Sequence, residues 1–266
     1  MEKTMEDAIA EFTGFTEGDL NLTSPIPFQA KVEMRKLTIV TGMNDTGKSL
    51  YNKLMWATTF FFNLKIVEYV TGLKEEKTDI EIFQYVLDNT FVDQDFNGSI
   101  QFSARDEVLK VAFYTVRYSL ENGKITDLYI DFPEKTSPMG SIIYLSKEAR
   151  DFSNIEKYLK IKKMIGVDTI DSWESLEKLG EFNKLYDIIA IESLLEKLKD
   201  INPVLKMIKS MGGDELLGDV DLAGIEYNKD ASEMFYVTSK EEKRRLSTLG
   251  AGTQSVILML LSSVSA

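Results

Sequence analysis

Leu37-Thr38-Ile39-Val40-Thr41-Gly42-Met43-Asn44-Asp45-Thr46-Gly47-Lys48-Ser49 is the stretch on which the reading of the fold turns. Its first five residues are a short apolar run of strand formers. Residues 42–49 then fit G-x-x-x-x-G-K-[ST] at every fixed position. Each position has a physical reason. Gly42 and Gly47 permit backbone angles and a closeness of approach that a side chain would block. The backbone N–H groups of the loop, Gly42, Met43, Asn44, Asp45, Thr46 and Gly47, can then turn inward as a cradle for phosphate. A helix that starts near Lys48 and carries Leu50 in its first turn aims its positive end at the same anion. Lys48 supplies a point charge to the β- and γ-phosphates, which makes it the catalytic candidate, and the Ser49 hydroxyl is placed to coordinate Mg²⁺. The stretch predicts a nucleoside triphosphate site at residues 42–50, with ATP and Mg²⁺ as the expected ligands.

The rest of the chain supplies the context this motif needs. Residues 8–41 read as strands, with Phe28, Ala30 and Val32 alternating before the apolar run. Lys48 to Phe91 reads as helical, with one charged break. Gly98 to Ser146 is β-rich, and Asn122-Gly123 marks a two-residue hairpin turn before Leu128-Tyr129-Ile130. Lys147 to about Met211 is amphipathic and helical, and Gly212-Gly213 ends it. Short strands follow at Gly224–Tyr227 and Met234–Val237, then a helix from about Thr253 to Val264. The expected fold class is α/β: a nucleotide-binding core with an antiparallel β-lobe and a helical insertion. The expected divisions are an N-terminal β-layer with the loop and its helices (1–97), the β-lobe (98–146), the insertion (147–215), and terminal strands, loop and helix (216–266).

Composition narrows the chemistry. The chain has 266 residues and a formal net charge of −12, with neither Cys nor His. That removes Cys/His zinc sites, thiol nucleophiles, Ser-His-Asp arrangements and disulfides. A charge of this sign repels nucleic acid and anionic membrane as a whole, although a local basic face could still bind DNA. The first residues lack an apolar signal core, and the longest apolar run, Val256–Leu261, is too short to span a bilayer. A cytoplasmic protein with no membrane contact is the expectation.

Two GTPase-like fragments, Asp221-Leu222-Ala223-Gly224 and Asn228-Lys229-Asp230, lie only a few residues apart. One segment would have to reach both the γ-phosphate and the base, so they do not read as a GTPase. Residues 246–254, Leu-Ser-Thr-Leu-Gly-Ala-Gly-Thr-Gln, precede an apolar helix and form a second corner suited to an anion.

Leu37–Ser49 together with Leu246–Gln254 resembles the ABC-type ATPase heads of the SMC, RecF and OLD-like kind, including the AAA-labelled ATPases of prokaryotes. Ile142–Ser146 with Arg150 resembles the strand in those proteins that leads to the loop sensing metal and γ-phosphate. The resemblance implies that Ser247, Gly250 and Gly252 contact the γ-phosphate held by a partner subunit's loop. ATP would join two heads head-to-tail, and an effector protein or nucleic acid would be the target. It also implies a strand ending in Asp-Glu after the signature helix, and a switch His after that. The chain reaches Ala266 before either, so it is expected to be an incomplete head that binds ATP and hydrolyses it poorly alone. The alternative function is a nucleotide-dependent binding or regulatory module without efficient hydrolysis. A small-molecule kinase fits the long β-lobe and the 246–254 stretch less well.

Other residues have ordinary readings. Leu128–Glu134 reads as an antiparallel strand after the hairpin, and Ile188–Glu192 as helix with Glu192 at the surface. Lys240–Arg245 reads as a solvated turn, and Lys157, Lys160, Lys162 and Lys163 as a solvated helical face. Trp56, Phe60, Phe61 and Phe62 read as helix packed against a sheet rather than as a base-stacking platform.

Overall fold

The computed structural model describes residues 10–11, 14–24, 27–34, 47–72, 77–91, 95–105, 112–134, 136–137, 151–167, 173–182, 184–197, 221–228 and 231–263. Expectations for Leu37–Thr46, Ile142–Ser146, Arg150 and Gly212-Gly213 lie outside these residues. Among those described, the architecture is mixed α/β, with a five-stranded antiparallel sheet and six α-helices. The chain divides into two compact units, 1–142 and 143–266.

In the first unit the sheet order is β3-β2-β4-β5-β6. Its strands are β2 (Glu17–Ser24), β3 (Phe28–Glu33), β4 (Asn97–Arg105), β5 (Ala112–Glu121) and β6 (Lys124–Asp131). β1 (Ala10–Glu11) and β7 (Thr136–Ser137) form a separate short parallel pair. The expected N-terminal layer and β-lobe thus share one sheet, because β2 pairs with β4 from Glu17↔Ser103 to Ser24↔Asn97. The hairpin read from Asn122-Gly123 is present. Both residues take positive φ, 50° and 73°, and Glu121 faces Lys124, the geometry that matches strand twist in a two-residue turn.

One face of this sheet is apolar. Leu20 and Leu22, Ile100 and Phe102, and Tyr114, Val116, Tyr118 and Leu120 alternate inward. Helices α1 (Lys48–Thr71) and α2 (Asp79–Thr90) supply the other half of the core. α1 buries Tyr51, Leu54, Trp56, Ala57, Phe60, Phe61, Phe62 and Ile66, and every residue from Trp56 to Phe62 is buried. Phe61 stacks on Phe83 of α2 at 4.3 Å, and Phe62 meets Tyr114 of the sheet edge-on at 6.0 Å. The aromatic run is core, as its spacing suggested. Thr78 starts α2 with a capping box: its hydroxyl accepts from the Glu81 N–H while Glu81 accepts from the Thr78 N–H at 2.7 Å.

The second unit holds α3 (Phe152–Met164), α4 (Trp173–Gly180), α5 (Leu185–Lys197), β8 (Gly224–Asn228), β9 (Glu233–Val237), β10 (Lys243–Arg245) and α6 (Ala251–Ser263). The strands form an antiparallel sheet in the order β10-β9-β8. Its core gathers Phe152, Ile155, Tyr158, Leu179, Leu185, Ile188, Leu194, Met234, Leu246, Ile257 and Leu258.

Two expectations change here. Lys243–Arg245 is an edge strand, not a turn. Its side chains are exposed, and carboxylates line up with them: Lys243 with Glu226, Arg244 with Glu242, Arg245 with Glu233. Charged residues on an edge strand discourage pairing with another chain. Glu192 does lie in α5, but it is half-buried rather than a free surface acid. It accepts from the Tyr158 hydroxyl and the Lys162 ammonium, both at 2.7 Å, so Lys162 drops out of the solvated basic face.

Candidate functional site

α1 begins where the phosphate motif ends. Gly47 is its N-cap, with φ 79° and ψ 3°, and offers no side-chain cap; the first turn holds no acid. The Tyr51 N–H donates to the Gly47 carbonyl at 2.9 Å, the first helical bond. A helix start without a capping side chain or first-turn acid suits an anion supplied from outside the chain. Lys48 and Leu50 are half-buried and Ser49 is exposed. An ammonium, a hydroxyl and helix N–H groups form a donor set that fits phosphate chemically. Gly42, Met43, Asn44, Asp45 and Thr46 lie outside the described residues.

Gly47 is required twice. Its left-handed angle favours glycine, and a Cβ there would lie 2.3 Å from Cε2 of Phe28. Phe28 is the first inward residue of β3. Alternation revealed which way it faces, but nothing local revealed that it would press on the loop. Behind the motif, Tyr51 is buried against Phe102, with ring centroids 6.0 Å apart. Its hydroxyl is buried with no hydrogen-bond partner among the described residues, and burial pushes the phenol up to about 12.

The 246–254 stretch belongs to the second unit. Leu246–Thr248 is a single 3₁₀ turn anchored by buried Leu246. Ser247 is half-buried, and Gly250 and Gly252 are exposed. Neither glycine takes a positive φ, and a Cβ on either would meet nothing within 4 Å. Among the described residues no contact therefore requires glycine at these two positions. The stretch is held instead by buried Gln254 at its end. Its amide donates to the Leu249 carbonyl at 2.7 Å and to the Ser247 carbonyl at 3.4 Å, and its carbonyl accepts from the Phe152 N–H at 3.0 Å. No family model matches the chain, and no curated protein matches it either.

The GTPase-like fragments have structural duties. Asp221 accepts from the Ser239 N–H at 3.0 Å and its hydroxyl at 2.7 Å, and Asn228 accepts from the Ala231 N–H at 3.2 Å. Both brace the β8–β9 hairpin. In the same unit, buried Glu156 accepts from the Met234 N–H at 3.0 Å. Burial pushes the Tyr158 hydroxyl well above its usual range, and the Glu192 charge adds to this. Among the described residues no group of three or more acids could hold a metal, and no helix is long and apolar enough to cross a membrane.

Proposed function

We propose that this chain is an ATP-binding head of the ABC/SMC-like kind that pairs head-to-tail when ATP is bound. The observation that carries the reading is the complete motif Gly42–Ser49 running into a long helix whose N-cap is a left-handed glycine. In this reading the loop cradles the phosphates, Lys48 neutralises the β- and γ-phosphates, and Ser49 holds Mg²⁺. The glycines at 250 and 252 support the second half of the site. Where a chain's own fold has no steric need for glycine, close approach by an outside group supplies one. Ser247, Gly250 and Gly252 of one head then meet the γ-phosphate bound to the other. ATP stabilises the pair because it has full contacts only in the closed arrangement. The effector driven by closure is a protein or a nucleic acid.

The direct test is MgATP titration of the purified chain by calorimetry, for wild type and Lys48→Ala. Saturable binding weakened at least ~10-fold by the substitution, the loss of one charge-assisted contact, is the expected result. Equal affinity in the two proteins would overturn the proposal, as would no binding to the wild type.

A further inference from the structure

Away from the phosphate motif, the first unit holds a cavity of about 410 Å³ beside the C-terminal half of α1. That is within the roughly 300–1,000 Å³ range of small-ligand sites. One side is apolar: Tyr69, Ile130 and Phe132. Tyr69 and Phe132 meet edge-on with centroids 5.2 Å apart. Phe132 is tied to core Phe62 in the same way at 5.8 Å. Tyr69 is 52% exposed, a large aromatic left in water at the mouth.

The other side is charged. Lys65 bridges Glu68 and Asp79, with Asp79 Oδ1 at 2.7 Å and Glu68 through Oε2. Burial alone would lower the Lys65 amine, but hydrogen bonds and charge from Asp79 and Glu68 outweigh it and hold the ammonium protonated. Among the described lining residues, two carboxylates against one ammonium leave a charge of −1. Glu68 Oε1 and Asp79 Oδ2 keep acceptor capacity for a second cation. The chain's net charge of −12 draws cations to the same surface.

We propose that this cavity binds a small organic monocation on an aromatic or aliphatic body. Its ammonium would sit on Glu68 and Asp79, and its apolar part against Tyr69 and Phe132. Aromatic faces beside a cation add to the attraction, and the anchored Phe132 costs little ordering on binding. The site is separate in chemistry from the phosphate motif, so its occupancy does not depend on the nucleotide reading.

The test uses the full chain, with phenethylamine and phenylpropionate as probes, followed by ligand-observed saturation-transfer NMR. The amine should bind saturably and the acid should not. Glu68→Gln, which is isosteric, should weaken the amine ~10-fold through loss of a charged acceptor. Tyr69→Ala, at a half-exposed position, should weaken it several-fold without disturbing the core. Lys48→Ala should leave it unchanged. Equal binding of acid and amine would overturn the proposal. So would indifference of the amine to both cavity substitutions, or no saturable binding by it at all.

Discussion

Gly47 links the loop's conformation to its environment. Its φ of 79° and the Phe28 ring leave no room for a methyl group. Gly47→Ala should cost about 1–3 kcal/mol, combining left-handed strain with displacement of the ring. Thermal denaturation would read this as a lowered midpoint with or without nucleotide. Gly252→Ala should behave in the opposite way. Alanine in a helix with open space around it should stabilise by about 0.5–1 kcal/mol, while ATP-driven pairing is lost. An unstable Gly252→Ala, or one that still pairs normally, would contradict the role assigned to that glycine. Three buried tyrosines add a pH dependence. Burial raises Tyr51 to about 12 and pushes Tyr118 and Tyr158 further up. The unfolded chain loses its phenolic protons near pH ~10, before the native state does. Stability from these groups is therefore complete below pH ~10 and falls as pH rises toward ~12. Melting temperatures across that window should decline, and Tyr51→Phe should flatten the slope by about one proton.

At the scale of elements, what could be read from sequence was what local chemistry decides. Asn122-Gly123 specifies its hairpin through two positive φ angles, and the apolar positions Leu54, Trp56, Ala57, Phe60, Phe61 and Phe62 after Lys48 specify a helix with a buried middle. β10 was not legible, because Lys-Arg-Arg has no strand pattern of its own; it forms by pairing with β9, and Glu226, Glu242 and Glu233 pair with its side chains. Long-range contacts were hidden for the same reason. Gln254 reaches Phe152 across 102 residues, and Glu156 reaches Met234 across 78. No periodicity encodes such a pairing. Gln254→Leu keeps the bulk but strands two carbonyls and an N–H, and should cost about 1–3 kcal/mol by chemical denaturation. Glu192→Ala leaves the Lys162 ammonium and Tyr158 hydroxyl without their acceptor, and should cost a similar amount, about 1–3 kcal/mol. A surface-like loss below about 0.5 kcal/mol would show that Glu192 is the free acid its sequence position suggested.

For the molecule as a whole, the two halves of the proposed site lie in different compact units, with Gly47–Ser49 in one and Ser247–Gly252 in the other. The nucleotide reading rests on a motif with a physical reason at each position. The pairing reading rests on two glycines that no contact among the described residues requires. The proposal joins them by placing the corner of one chain on the loop of a second copy. Sedimentation velocity with and without MgATP tests this most directly, for wild type, Lys48→Ala and Ser247→Arg. The account expects wild type to be monomeric without nucleotide and dimeric with it, and both variants to stay monomeric throughout. A wild-type chain that binds ATP yet remains monomeric, or a dimer that forms equally in Ser247→Arg, would contradict it.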